Sequence, residues 1–345
     1  MTEPVRIAVA GAGLIGKAHI KRVLEEPGAS LAAIVDPAPA ARDDAGRLGV
    51  PWFADLEAML RDARPDGVIL ATPNQLHLKG ALATIAAGVP TLLEKPVAET
   101  VEDAMTIVEA SEKAGVPVLI GHHHRSSLTM AKAKEIIASG ALGRITAVNA
   151  LCWYLKPADY FDVAWRREKG GGVILINLVH VIDDLRILCG DIVGVQAIVS
   201  HAARGFAVED TAAILLQFGN GALGTLTVSD SAAAPWSWEL TSGENKAYPL
   251  TDQSCYMIAG TEGALAVPRL DLWRYGETKS WWAPIECERR FIPEQDPLTT
   301  QMRHFCDVVR GKAKPVLDAR EGTKTLAATL AVKQAAETGA MIRLA

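Results

Sequence analysis

Between the apolar run Val5–Ala10 and a helix-like stretch from Lys17 to Glu26 lies the segment Gly11-Ala12-Gly13-Leu14-Ile15-Gly16. A G-x-G-x-x-G loop that follows a strand and opens a helix is the fingerprint of a dinucleotide site. Gly11 allows the tight turn, Gly13 lets the backbone approach a pyrophosphate, and Gly16 permits close packing of helix on strand. At Leu14 and Ile15 the helix start offers free N–H groups and a partial positive charge to the phosphates. Asp36 ends the next apolar run, Leu31–Val35, about 20 residues after Gly16. A carboxylate there accepts hydrogen bonds from both ribose hydroxyls and repels a 2′-phosphate, so NAD is expected over NADP. Arg42 is the nearby residue that speaks for NADP.

The pattern around this loop extends it into a domain. Further apolar runs stand at Gly67–Ala71, Thr91–Leu93 and Val116–Ile120, with helix-like segments around Leu56–Arg61, Leu76–Ala87 and Val101–Ala114. Strands that are apolar throughout and alternate with helices imply a parallel sheet covered on both faces. After about residue 122 the pattern changes. Ala131–Ser139 reads as a helix, Ile145–Tyr154 as a strand, and Val173–Cys189 as a helix behind Gly170-Gly171-Gly172. Strand-like runs follow at Val195–His201, Ala212–Gln217, Gly224–Ser229, Trp236–Thr241 and Tyr256–Gly260, with turn residues such as Gly219-Asn220-Gly221 between them. Helices at about Thr299–Arg310 and Arg320–Thr338 close the chain. The expected fold class is α/β: a Rossmann domain over 1–122, then an α+β domain over 123–345 with one large, mainly antiparallel sheet.

Composition narrows the class without naming it. The 345 residues carry a formal net charge of −5, which gives no reason to expect nucleic acid or an anionic membrane as partner. The five cysteines are scattered, with no C-x-x-C pair, so neither a zinc site nor a disulfide framework is expected. No apolar run approaches a membrane span, and no basic segment followed by a long apolar stretch opens the chain. A cytoplasmic protein without a metal is expected.

Residues at the carboxyl ends of the strands are the candidates for chemistry, because ligands of doubly wound sheets bind there. Thr72 and Asn74 follow the strand at Gly67–Leu70 and stand where the cofactor would pass; Asn74 serves equally well as a cap of the next helix. Lys95, in Leu92-Leu93-Glu94-Lys95-Pro96, projects from another strand end. A partly desolvated ammonium there can assist proton transfer, whereas an ordinary lysine would lie in solvent. His122-His123-His124-Arg125 ends a fourth strand; His123 is a candidate for the substrate, and Arg125 pairs with the cofactor, with an acidic group, or serves structure. Asn177 and His180 share a helical face. His180 is placed either to shuttle a hydroxyl proton or to bond structurally to Asp183 or Asp184. Trp153, Tyr154, Trp165 and Arg166 precede that helix and suit a sugar's C–H surfaces; as core residues, the two tryptophans would be equally at home.

These pieces together resemble the glucose–fructose oxidoreductase / inositol dehydrogenase / rhizopine catabolism (Gfo/Idh/MocA) family over nearly the whole chain. Glu94-Lys95-Pro96 matches its E-K-P motif, and Thr72, Pro73, Asn74 and His77 match its T-P-N-x-x-H segment. Gly170-Gly171-Gly172 with His180-x-x-Asp183 resembles its G-G-G…H-x-x-D helix. Gly260-Thr261-Glu262-Gly263 and Asp296-Pro297-Leu298 resemble later markers. The resemblance implies Lys95 and His180 as the catalytic pair, with His77 and Glu94 beside the cofactor. It implies an open C-terminal sheet serving a homodimer or homotetramer, and a sugar or polyol such as an inositol as substrate. Many members carry an Asp four residues before the His. That position here is Ile176, and Asn177 lies three before. Where the family usually reads R-R, this chain has His124-Arg125.

The expected activity is reversible oxidation of a sugar or polyol hydroxyl. Hydride would pass to C4 of the nicotinamide and the proton to His180, with Lys95 holding the oxygen. Two other readings share the fold: glycoside hydrolysis or elimination with transient use of NAD, and a non-catalytic dinucleotide sensor.

Overall fold

The computed structural model describes residues 3–344 except 169 and 294. The chain forms two compact units, Met1–Ser126 with Pro297–Leu326, and Ser127–Asp296 with Ala327–Ala345.

In the first unit six strands make one parallel sheet. They are β1 (Val5–Ala10), β2 (Ala29–Val35), β3 (Trp52–Phe53), β4 (Gly67–Leu70), β5 (Thr91–Leu93) and β6 (Val118–Ile120), in the order β3-β2-β1-β4-β5-β6. Both faces are covered, so Ile7, Val9, Ile69, Leu92 and Leu119 are fully buried, which is why these strands read as apolar runs. The order reverses at β1, which pairs with β2 on one side and β4 on the other. The carboxyl ends beside such a switch point form the ligand crevice of an open α/β sheet.

The sequence assigned all of 123–345 to the second domain, but the structure returns 297–326 to the first. The helix Pro297–Val309 inserts Met302, Phe305 and Cys306 into the same core as Ile7 and Val9. Gly67 accommodates it: a Cβ there would stand 3.1 Å from the Phe305 ring and 2.9 Å from Val309.

The second unit holds a nine-stranded sheet. Its strands are β7 (Ile145–Trp153), β8 (Ile192–Ser200), β9 (Thr211–Phe218), β10 (Leu223–Ser229), β11 (Tyr256–Gly260), β12 (Gly263–Val267), β13 (Asp271–Tyr275), β14 (Ile285–Arg289) and β15 (Ile342–Arg343). Their order is β14-β13-β12-β11-β7-β10-β9-β8-β15. Among the described residues of this sheet only β7 and β10 run parallel; the other pairs are antiparallel. One face packs a core with the helices Leu128–Ala138 and Val179–Cys189. The other face is open and carries exposed Leu215, Leu223, Met257 and Trp273 around a bond from Asn149 to Thr225.

Two local expectations are corrected. Trp236–Thr241 is not a strand; Trp238–Thr241 forms a short helix, because Trp238 turns inward to stack on Tyr256 with ring centroids 5.8 Å apart. The expected helix at Val173–Cys189 is not uniform either: it opens with a π-helical turn at Ile174–Leu178 before the α-helix Val179–Cys189.

Candidate active site

The glycine loop has the geometry its residues demand. Gly11 has φ +92°, and a Cβ there would lie 2.3 Å from the Ala71 carbonyl oxygen. A Cβ on Gly16 would lie 1.8 Å from the Gly11 carbonyl oxygen, so helix and turn are as close as glycine allows. At Gly13 a Cβ would meet nothing within 4 Å, so this backbone faces open space where a ligand can approach. The helix Leu14–Glu25 that follows has no side-chain cap on its first N–H groups, which leaves them to a phosphate. Leu14 turns its side chain to solvent, so its part and that of Ile15 lie in the backbone.

Asp36 is locked to this loop. Its Oδ2 accepts from Ala12 N at 2.7 Å and its Oδ1 from Ala38 N at 2.8 Å. Each oxygen keeps a lone pair for a ribose hydroxyl. Beside it lies a cavity of about 390 Å³ whose walls include Gly11, Asp36, Pro37, Thr72, Pro73 and Leu76. Thr72 Oγ1 is buried with no hydrogen-bond partner among the described residues, an orphan of the kind a ligand satisfies. Asn74 is half-buried and caps nothing: Pro73 precedes its 3₁₀ turn, and the helix His77–Ala86 has no side-chain cap. Arg42 lies over the Trp52 ring at 5.5 Å. Open glycine, anchored carboxylate and orphaned hydroxyl together fit an adenine dinucleotide.

Farther along the same sheet edge, His77 meets backbone carbonyls and Glu94 meets His19. The His77 ring is buried, with Nδ1 2.7 Å from the Pro96 carbonyl and Nε2 3.0 Å from the Thr72 carbonyl. The ring lies between the Thr72 loop and the segment that carries Lys95; burial pushes its pKa down, and in its neutral form it donates to one of the two carbonyls. Glu94 is buried and bonded to His19 Nε2 at 2.7 Å, with its carboxylate crossing Gly121, where a Cβ would stand 2.9 Å from it. Burial alone would raise the Glu94 pKa, but the His19 hydrogen bond and the charges of His19 and Lys95 outweigh it and hold it below the usual range. Lys95 is half-buried at the end of β5.

His123 and Arg125, also half-buried, stand in the turn His123–Ser126. Burial drives the His123 pKa well down, helped by His124, Lys95 and His122. His122 and His124 are buried. Among the described residues no group of three His, Cys, Asp or Glu is placed to hold a metal.

The second unit gathers the remaining candidates. His180 is half-buried in the first turn of Val179–Cys189, and Asn177 stands in the π-helical turn before it. Asp184 Oδ2 accepts from the Tyr256 hydroxyl at 2.8 Å. The three glycines allow two close approaches: a Cβ on Gly171 would meet the Trp165 carbonyl at 2.5 Å, and one on Gly172 would meet Glu209 at 2.4 Å. Glu209 in turn accepts from Ile174 N at 3.1 Å and so holds the π turn. Tyr154 Oη is buried without a hydrogen-bond partner among the described residues. Arg166 donates to the Tyr160 carbonyl at 2.6 Å and lies 4.0 Å over that ring, with Trp165 exposed beside it. Trp153 does not join them. Successive strand residues point to opposite faces, and Trp153 donates to Thr227 on the open side of the sheet.

Sequence reasoning missed Lys156. This buried lysine donates to Asn177 Oδ1 at 2.8 Å and lies 3.4 Å from Asp230. No motif marks it; the only signal was a lysine two residues beyond a strand tyrosine.

Fold and site define an NAD-binding oxidoreductase. Residues 5–122 match the family described as "Oxidoreductase family, NAD-binding Rossmann fold", and residues 130–266 match the "GFO/IDH/MocA C-terminal domain". The chain belongs to the Gfo/Idh/MocA family of oxidoreductases, and its cofactor is NAD. It is similar to 1,5-anhydro-D-fructose reductase of Ensifer adhaerens, at 30% identity over 82% of this chain and 81% of that one. D-glucoside 3-dehydrogenase of Escherichia coli K12 is 26% identical over 99% of this chain and 98% of its own length. Among solved structures, the WlbA dehydrogenase of Bordetella pertussis, in complex with NADH and UDP-GlcNAcA, superposes with a TM-score of 0.80 at 28% identity over 99% of both chains.

Proposed function

We propose that this chain oxidises a hydroxyl of a sugar or polyol. The observation that carries the reading is Lys95, on the carboxyl edge of the sheet whose first loop is the dinucleotide cradle. Bound NAD supplies the hydride acceptor. His180 takes the proton of the reacting hydroxyl, and Lys95 stabilises negative charge on its oxygen. Glu94, held by His19, keeps the Lys95 backbone in place. Tyr154, Trp165, Arg166, His123 and Asn177 surround and orient the sugar. Glycines 11, 13 and 16, the N–H groups at Leu14 and Ile15, Asp36, Thr72, Asn74 and Arg125 hold the cofactor. The names of the relatives, a glucoside dehydrogenase and an anhydrofructose reductase, support a sugar as substrate.

Association through the open face of the nine-stranded sheet completes the reading. Leu215, Leu223, Met257 and Trp273 would be covered in a homodimer or homotetramer. All five cysteines are free thiols, as suits the reducing cytoplasm. No described helix is long and apolar enough to cross a membrane. The test is a screen of aldoses, inositols and sugar acids with NAD, followed at 340 nm. NADH formation with one of them supports the reading; glycoside cleavage without NADH, or NAD binding without turnover, replaces it.

A further inference from the structure

The buried lysine of the second unit has no part in the reaction described above. Lys156 is only 8% exposed, and its ammonium is enclosed by partners that hold it. Its Nζ lies 4.6 Å from the centroid of the Tyr160 ring and 5.8 Å from that of Tyr154. Asp230, itself buried, stands 3.4 Å away and also accepts from Arg204 Nε at 2.8 Å. The guanidinium of Arg204 lies over the Phe161 ring at 4.2 Å. Burial lowers the Lys156 pKa, and Asp230 opposes this. A buried ammonium is costly unless it is paired and hydrogen-bonded, so this one is held by a carboxylate, two rings and one amide.

The amide is the informative contact. An ammonium has three donors and no acceptor, so the atom of Asn177 that meets it at 2.8 Å must be the oxygen. The Nδ2 hydrogens are thereby committed to the other side. Among the described residues they donate to no protein acceptor, and Asn177 is half-buried, one turn before His180.

We propose that Lys156 is a positioning residue for the substrate: by clamping Asn177 Oδ1 it presents the Nδ2 hydrogens as fixed donors to a substrate oxygen beside the hydroxyl served by His180. This rests on the assignment of His180 above. It gives the site a polarity. A carboxylate at this turn could only accept from a substrate hydroxyl, whereas the clamped amide donates, and so selects a lone pair on a neighbouring hydroxyl, carbonyl or carboxylate oxygen.

The experiment is a double-mutant cycle with the best sugar from the screen. Lys156→Met keeps the aliphatic stem and leaves Asp230 paired with Arg204. It should raise KM for the sugar about tenfold, as for loss of one oriented hydrogen bond, with kcat within about threefold of wild type. NAD affinity should not change. Asn177→Ala should raise KM similarly, and the double variant should be no worse than either single one, because both remove the same donor. Multiplying effects, or an unchanged KM in Lys156→Met, overturn the proposal. If Lys156→Met does not fold, Lys156→Arg replaces it. A guanidinium displaced from the ammonium position should still raise KM, and wild-type KM in that variant overturns the clamp. Should the wild type oxidise no sugar, the function assignment fails. The clamp is then read from the Asn177 side-chain amide resonances: restrained in wild type and averaged in the lysine variant if it exists, equally mobile in both if it does not.

Discussion

His19 and Glu94, from the first helix and the end of β5, meet at 2.7 Å in the interior of the first unit, and the peptide N–H of Lys95 donates to the other oxygen of that carboxylate at 3.3 Å. The family's E-K-P motif is thus a lever with a buried fulcrum: the glutamate is anchored and the lysine that follows is presented. Removing the carboxylate leaves the His19 ring and the Lys95 N–H without their buried acceptor, at a cost of about 1–3 kcal/mol. Glu94→Ala should therefore lower urea stability by that order, and Glu94→Gln, which keeps a hydrogen-bonding group, by less. Equal stability of Glu94→Ala and wild type in urea titrations would show that the pair anchors nothing.

Acid should destabilise the protein for two reasons with the same sign. Glu94 titrates lower in the folded state than the ordinary 4.5, so its contribution is present above that value and lost as pH falls through the depressed one. His123 and His77 also titrate lower than the ordinary 6.5 when folded. Below about pH 6.5 the unfolded chain binds protons that the folded chain refuses, at up to about 1.4 kcal/mol per pH unit for each group. Stability should fall between pH 6.5 and 5, and His123→Gln should make that slope shallower. An identical slope in the variant would remove His123 from the account.

Cofactor choice follows from Asp36. Its two oxygens are tethered to Ala12 and Ala38, so it cannot swing away from a 2′-phosphate. NAD should have the higher kcat/KM, and Asp36→Ala should lower that value about 10- to 100-fold, the range for hydrogen bonds to a charged group. A wild type that prefers NADP would contradict this role.

How legible these features were depended on how local they are. The glycine loop, Asp36 and the E-K-P segment each sit at a strand end that an apolar run announces, and the structure places them on one sheet edge. Long-range packing was not readable. Nothing in Pro297–Val309 says that Phe305 belongs beside Ile7, and nothing in Lys156 says that it will meet Asn177. Trp236–Thr241 misled because its alternation mimics a strand, while stacking on Tyr256 decides for a helix.

The open sheet face supplies an independent prediction. Leu215 and Leu223, on neighbouring strands of that face, are more than half exposed in one chain. Light scattering at micromolar concentration should give a dimer or tetramer, and Leu215→Glu with Leu223→Glu should shift it toward monomer. A monomeric wild type would end the idea.

The central claim is that Lys95 and His180 perform the chemistry while the glycine loop and Asp36 hold the cofactor. The most direct measurement is kcat for NADH formation at 340 nm in Lys95→Ala, taken with the NAD dissociation constant of the same variant. The account predicts a fall in kcat of about 100-fold or more, as for loss of a charge-stabilising or proton-transfer group, with NAD affinity nearly unchanged. His180→Ala should match it and flatten the pH profile. Near-wild-type kcat in Lys95→Ala on the true substrate would contradict the account.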